Sequence, residues 1–361
     1  EKDGHHLDPA DVEILVAAEE HRVFDLRTGP LIRIKLLMLD EHKCVMVLTT
    51  HHIIFDGSSY GPFFSNLSRA YNARAAGLQP QFKSLLMRYF DYVQRQHSAI
   101  VLEPARHELE YWKEQLHDLA SRDIMPDRAC LPSEPRTAGY IPLVLAEGTG
   151  DHIRDVCGEL QVTPFTLLVA ATGVVLGVTT NNDDVALGTI VAGRSDPALT
   201  DVVGFFTNAV VLRLDVDFRS SFRELVTQAQ GVVLEALDHQ NVPFGEVIDA
   251  ISLPELVGRD NPFYQVALVL QKDPLKQFHL NGLSVRRFRE GYDIARGDFV
   301  IEFEERRGDY VGGIYYDADR FSESRAEGIA SGLARVVEIA VRNSGVALGK
   351  LANVVGYMAG S

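Results

Sequence analysis

Apolar and polar positions along the chain change period several times, and each change predicts an element. From Asp8 to Glu20, Val12, Leu15, Val16 and Glu19 recur at helical spacing, so a helix with one partly apolar face is expected. Two strand-like runs follow, LIRIKLLML at 31–39 and CVMVLTTHH at 44–52, joined by the polar DEHK as an antiparallel hairpin. In the first run apolar residues alternate with Arg33 and Lys35, so one of its faces is expected to meet water. Pro62 opens a helix that Gly77 can stop. Further helical stretches cover 81–100 and 106–116.

Between 118 and 142 the periodicity fails and Pro126, Pro132, Pro135 and Pro142 cluster, which marks a connection between lobes. The domain division is accordingly set at 1–127 and 128–361. Beyond it the pattern predicts a strand near 140–146, a helix from Asp151 to Leu160 and an apolar helix over 163–178. Strands at 183–193 and 209–217 precede an amphipathic helix at 221–240, which ends in the turn NVPF. Strand patterns at 263–271 and 297–317 and a helix from Glu323 to Arg342 close an α/β (α+β) order. Both halves share a coarse order of strands, long helices and return strands, which fits two similar lobes.

Composition narrows the partners. The formal net charge of −15 gives no basic excess to neutralise a phosphate backbone, so nucleic acid is excluded as a partner. The stretch 162–180 carries no charge and approaches membrane length. Thr163 and Pro164 nevertheless suit an N-cap and first helical position, and Asn181 to Asp184 stop it, so a buried core helix is expected and no membrane. Cys44, Cys130 and Cys157 are widely spaced and have no zinc-ligand pattern, which suits reduced thiols in a cytoplasmic protein. The polar opening EKDGHHLDPADVE is no signal peptide, and His5 and His6 within it are expected to be solvated.

The chemistry concentrates in VLTTHHIIFDGSSYG at 47–61. Histidine accepts and returns a proton near neutral pH, and a strand end ahead of a tight Asp56-Gly57 turn can hold His52 in one orientation. Asp56 can orient that histidine or anchor the loop through an arginine elsewhere. A bland alternative is that His51 and His52 leave a sheet edge with one ring capped by a backbone carbonyl. A third reading takes Gly57-Ser58-Ser59-Tyr60-Gly61 as G-x-S-x-G, a nucleophile elbow with Ser59 as the nucleophile of a hydrolase. That motif needs a strand running directly into its first glycine, and HHIIFD intervenes.

Several blocks in order resemble a condensation domain of a nonribosomal peptide synthetase, within the chloramphenicol-acetyltransferase-like superfamily. HHIIFDGSS matches the family's HHxxxDG signature, RYFDYVQRQ its Tyr-x-Asp-Tyr block, and VGFFTNAVVLR its Gly-Phe-Phe-Asn block. HQNVPFG at 239–245 and GRDNPFYQVALVLQ at 258–271 are similar to two further blocks. Ser58 stands where tryptophan is common in the family, Asn241 replaces aspartate and Gly245 replaces glutamate. His51 and the sequence FYQVALVLQ differ from what the related cyclisation and epimerisation domains carry at these places.

The resemblance implies two acetyltransferase-like lobes in a V-shaped arrangement, the N-terminal one incomplete because the family's opening strands would precede Glu1. It implies an acyltransferase that forms an amide by moving an acyl or peptidyl group from a donor carrier-protein thioester to an amine on a second carrier. His52 takes the place of the catalytic histidine, with His51, Asp56, Gly57 and Arg194 shaping the motif and Ser59 and Asn208 at the substrate tunnel. The implied partners are the two carrier proteins, with their phosphopantetheine arms, and other synthetase domains; the domain itself holds no cofactor or metal. A docking module that keeps the fold and recruits partners without catalysis is the alternative.

Overall fold

The computed structural model describes residues 7–99, 103–119, 123–128, 136–251, 261–289 and 295–359. His5, His6, Cys130, Pro132 and Pro135 lie outside them. The chain forms two compact units: Glu1–Tyr92, Arg194–Phe206 and Pro274–Glu290 make the first, and Val93–Gly193, Thr207–Asp273 and Gly291–Ser361 the second.

The first unit begins with α1 (Pro9–Glu20), capped by Asp8, whose carboxylate accepts the Ala10 N–H at 3.0 Å. Strands β1 (Ile32–Met38) and β2 (Cys44–Thr50) pair antiparallel, with Ile32 opposite Thr50. The expected hairpin is there, and one face of β1 meets water as expected. Arg33 and Lys35 both turn to Glu19 on α1, which is 2% exposed, and they hold its carboxyl below the usual range. The face meeting water is therefore apolar: Ile34, Leu36 and Met38 are at least half exposed. Helix α2 (Tyr60–Ala75) follows, and Ser68 and Asn72 on it bond the backbone of residues 277–281.

Helix α3 (Tyr89–Ala99) starts eight residues later than the apolar spacing from 81 suggests. Asp91 explains the delay, since its carboxylate accepts both the Arg88 N–H, at 3.1 Å, and the Arg88 guanidinium. The division between units passes through α3. The boundary expected at 127/128 thus falls within the second unit. There α4 (Glu103–Leu116) contributes Trp112 and Leu116, 3% and 0% exposed, to the main core.

In the second unit β3 (Ala138–Leu143), α5 (Thr149–Leu160), α6 (Pro164–Thr180), β4 (Asp184–Val191) and β5 (Asn208–Asp215) come first. Then follow α7 (Phe222–Asp238), α8 (Phe244–Ile251), β6 (Val266–Lys272), β7 (Phe299–Arg306), β8 (Asp309–Asp317), α9 (Glu323–Arg342) and α10 (Leu348–Ala359). The six strands order as β3-β8-β7-β6-β4-β5, parallel at β7-β6 and β6-β4 and antiparallel elsewhere.

The uncharged helix α6 packs against α7, α9 and α10, and every residue from Thr166 to Gly177 is buried. Its N-terminus is capped as expected, with Thr163 Oγ1 accepting the Thr166 N–H at 3.1 Å. Among the described residues no single helix is long and apolar enough to cross a membrane. Two helices escaped the pattern. α8 starts directly after Pro243 inside what read as a turn, and α10 hides its Leu348, Leu351 and Val355 face among small residues.

Gly188 in β4 lies under the ring of Tyr264, which is 9% exposed and whose phenol burial pushes up to about 12. A Cβ at Gly188 would come within 2.3 Å of that ring. Gly188→Ala should lower stability by about 1–3 kcal/mol. Gly158→Ala, in α5 with nothing within 4 Å of the added methyl, should raise it by up to about 1 kcal/mol. Urea midpoints of the two variants, read against the parent, test the pair.

Candidate functional site

The strand β2 stops at Thr50 because the chain then turns twice. The His51 N–H donates to the Leu31 carbonyl at 2.9 Å, which closes the hairpin. The His51 Nδ1 accepts the Ile53 N–H at 3.1 Å, and its ring meets Phe24 edge-on. A 3₁₀ turn spans His52–Ile54, and a second spans Gly57–Ser59 before α2 begins. The nucleophile-elbow geometry, strand directly into glycine, is therefore absent from this stretch.

Asp56 caps the second turn and is 1% exposed. Its Oδ1 accepts the Ser59 N–H at 2.9 Å and Arg194 Nη2 at 2.9 Å. Its Oδ2 accepts Arg194 Nη1 at 2.7 Å and the Phe206 N–H at 3.0 Å. The guanidinium thus grips the carboxylate with both terminal nitrogens, and two backbone amides complete its coordination. Arg194 also bonds Ser59 Oγ at 3.1 Å and the Val202 carbonyl at 3.2 Å, and its guanidinium lies over the Phe206 ring at 4.3 Å. Of the two uses open to Asp56, anchoring through an arginine is the one observed. Gly57, exposed, opens the turn that Asp56 caps.

His52 is exposed and sits at the start of the first turn. Its Nδ1 lies 2.8 Å from the Phe55 carbonyl oxygen. A carbonyl only accepts, so Nδ1 carries the proton, and in the neutral ring Nε2 keeps its lone pair. The ring of Phe205 meets the imidazole at a centroid distance of 5.1 Å and an interplanar angle of 90°.

Ser59 and Asn208 both spend their polar groups on protein partners. Ser59 is 0% exposed. Its hydroxyl accepts from Arg194 and from the Gly204 N–H at 3.1 Å, and its one proton has the Asp56 carboxylate and the Gly204 carbonyl, each at 2.9 Å, as acceptors. A side chain so enclosed presents no nucleophile. Asn208, in the second unit, spends its whole carboxamide on backbone. Nδ2 donates to Gln240 and Val242 carbonyls at 2.9 and 2.6 Å, and Oδ1 accepts the Ala209 and Phe244 N–H groups, both at 3.0 Å. It braces the HQNVPFG loop. Asn241 in that loop, the aspartate replacement, pairs with Glu108 at 3.0 Å through both its backbone and its side-chain N–H groups.

Three further contributors lie in the RYFDYVQRQ and VGFFTNAVVLR blocks, with no local pattern that singles them out. Tyr89, from RYFDYVQRQ, donates its hydroxyl to the Phe205 carbonyl at 2.8 Å. Burial and the nearby Asp56 charge push its phenol up, which keeps the donor protonated. Gly204 has room for no side chain, because a Cβ there would lie 2.4 Å from the Tyr89 ring. Phe205 is the third. Met87, Leu199, Val202 and Phe206 form a small buried core beneath this corner, with Tyr89 and Tyr92 packed on it. Among the described residues no group of three or more His, Cys, Asp or Glu could hold a metal ion.

A family model described as "Condensation domain" matches residues 3–354. The isonitrile lipopeptide synthase of Mycobacterium tuberculosis is 31% identical over 305 residues, 82% of this chain and 12% of that protein. The dimodular nonribosomal peptide synthase of Bacillus subtilis is 29% identical over 340 residues, 91% of this chain and 14% of that protein. The chain spans 4–14% of the length of such curated relatives. Among solved structures, the X-domain from teicoplanin biosynthesis is similar with a TM-score of 0.82 and 26% identity, over 94% of this chain and 78% of that one. The first condensation domain of the calcium-dependent antibiotic synthetase, at 15% identity and a TM-score of 0.76 over 96% and 75% of the two chains, shares the fold.

Removing one partner of the buried pair leaves the other charge without compensation. Asp56→Ala should cost about 3–5 kcal/mol in urea unfolding. The Asp56→Ala, Arg194→Met double variant should recover part of that loss, which a double-mutant cycle measures. A fluorophosphonate probe should leave Ser59 unlabelled in the native protein, as judged by peptide mass spectrometry.

Proposed function

The chain belongs to the condensation-domain family of nonribosomal peptide synthetases, and on that premise we propose that it forms an amide bond between two tethered substrates. Its mixed α/β fold is the chloramphenicol-acetyltransferase-like fold of that family. In this reading an acyl or peptidyl group leaves the phosphopantetheine thioester of a donor carrier protein and joins the amine of an acceptor on a second carrier.

One observation carries the reading: the exposed His52 ring has its Nδ1 proton committed to the Phe55 carbonyl, so Nε2 is left as a proton acceptor. The acceptor amine attacks the thioester carbonyl carbon, and Nε2 takes the proton that the nitrogen sheds as the C–N bond forms. The C–S bond then breaks, and the proton passes to the departing sulfur, which leaves as the thiol of the donor arm.

Magnitudes divide the work. An α-amine has a reference pKa near 7.7–8.0, so freeing it at pH 7 costs only about 1 kcal/mol. Aligning amine and thioester can supply roughly 7–11 kcal/mol. Most of the acceleration therefore comes from positioning, and His52 adds general-base assistance to it. Asp56, Arg194 and Ser59 act through the loop they fix, and His51 braces the same loop through Ile53.

A second reading, that the domain recruits partners without catalysing condensation, draws on the likeness to the X-domain from teicoplanin biosynthesis. That domain has also been solved in complex with OxyB, and the complex is 27% identical to this chain with a TM-score of 0.79.

His52→Ala, incubated with two loaded carrier proteins, should lower amide product on the acceptor arm by about 10²–10⁴-fold, as read by intact-protein mass spectrometry. Equal product from the variant and the parent removes His52 from the chemistry. No product from either, with a partner protein still bound, selects the recruiting role.

A further inference from the structure

The three residues Gly204, Phe205 and Phe206 form a strap pinned at every link. The Gly204 N–H donates to Ser59 Oγ at 3.1 Å, the Phe205 carbonyl accepts the Tyr89 hydroxyl at 2.8 Å, and the Phe206 N–H donates to Asp56 at 3.0 Å. Phe206 itself is 3% exposed, held between the Arg194 guanidinium and the rings of Tyr89 and Tyr92. Gly204 cannot shift toward Tyr89, whose ring already lies within contact distance of its α-carbon side. Only the Phe205 ring projects from this strap. It is 38% exposed, and it stands perpendicular to the His52 ring.

A single hydrogen bond does not fix an imidazole. The contact from Nδ1 to the Phe55 carbonyl restrains one end of the ring, and rotation about the side-chain torsions can break that one bond and swing Nε2 away. An edge-to-face aromatic contact is directional and resists that sweep, because tilting either ring loses the quadrupolar alignment. Apart from the Phe55–Asp56 peptide, whose carbonyl holds Nδ1, the clasp around Asp56 reaches the ring through Phe205.

We propose that Phe205 is a positioning residue for His52, holding the imidazole against rotation so that Nε2 keeps one direction. This rests on the catalytic reading of His52 for its kinetic consequence, but not for its structural one. The buried charge pair then has a route to the reacting atom: carboxylate to strap amide, strap to phenyl ring, ring to imidazole. Phe205 itself exchanges no proton and forms no bond with substrate.

Phe205→Ala and Phe205→Tyr should both fold, since the ring is partly exposed, and thermal midpoints near the parent's will establish that. Kinetics with loaded carriers should show kcat lowered about 10-fold or more in Phe205→Ala, toward the roughly 100-fold that a 1 Å misplacement costs, with KM unchanged. Phe205→Tyr, which keeps the aromatic edge, should restore most of kcat. Independently of turnover, ¹⁵N-labelled parent protein should show His52 as the Nδ1–H tautomer, and Phe205→Ala should show a mixture of tautomers.

Parent-like kcat and an unmoved His52 tautomer in Phe205→Ala would overturn the proposal. So would a change confined to KM, which makes Phe205 a substrate wall. If His52→Ala condenses at the parent's rate while Phe205→Ala still alters the tautomer, the catalytic reading fails and the positioning contact stands.

Discussion

The carboxylate of Asp56 is the constraint on which the corner carrying His52 depends. A carboxylate with 1% exposure has lost nearly all of its water, and that loss is costly unless protein donors replace it. Here the replacement comes from a loop amide, from both ends of a guanidinium and from a strap amide. Each donor belongs to a different stretch of chain, so satisfying one acid fixes three segments at once. A neutral side chain at 56 would hold none of them with comparable direction, because only a charged acceptor rewards so many donors in one place.

Much of this was legible in the amino-acid order, and the reasons are local. Apolar spacing located α1, α6, α7 and α9, whose faces are long enough to average out single exceptions. The HHxxxDG stretch and the family resemblance, which implied Arg194 as part of the same motif, located the clasp. What escaped was decided by residues distant in sequence. Ser59 and Asn208 carry hydroxyl and amide groups that suit a substrate as well as a backbone, and only the fold shows that every one of their hydrogen-bonding positions is taken by protein. The alternation in β1 pointed to one wetted face but did not show which side chains form it. Arg33 and Lys35 look like a wetted face until a buried glutamate arrives from α1 to meet them.

The two units solve the packing problem differently. The second rests on one broad core under a six-stranded sheet, with a helix so apolar that it needs neighbours on every side. The first has a two-stranded sheet and a small apolar cluster of four buried residues, and it relies more on polar clasps: Glu19 with Arg33 and Lys35, Asp56 with Arg194, Ser68 and Asn72 with the chain at 277–281. Polar clasps are directional where apolar contacts are not, which suits the aimed His52 that the proposed chemistry needs.

The first unit is also assembled from three separated stretches, and that has a consequence for biosynthesis. Asp56 leaves the ribosome 138 residues ahead of Arg194, and Ser68 leaves 209 residues ahead of the backbone at 277. At translation rates of roughly 5–20 residues per second, the acid waits on the order of 7–30 s for its guanidinium. During that interval the nascent loop has a charge with no counterpart and must stay hydrated, so the corner that carries His52 cannot mature before the 93–193 stretch of the second unit has been synthesised. Any chimaera spliced between 57 and 193 recombines the two halves of that clasp, and inherits whichever match or mismatch the parents supply.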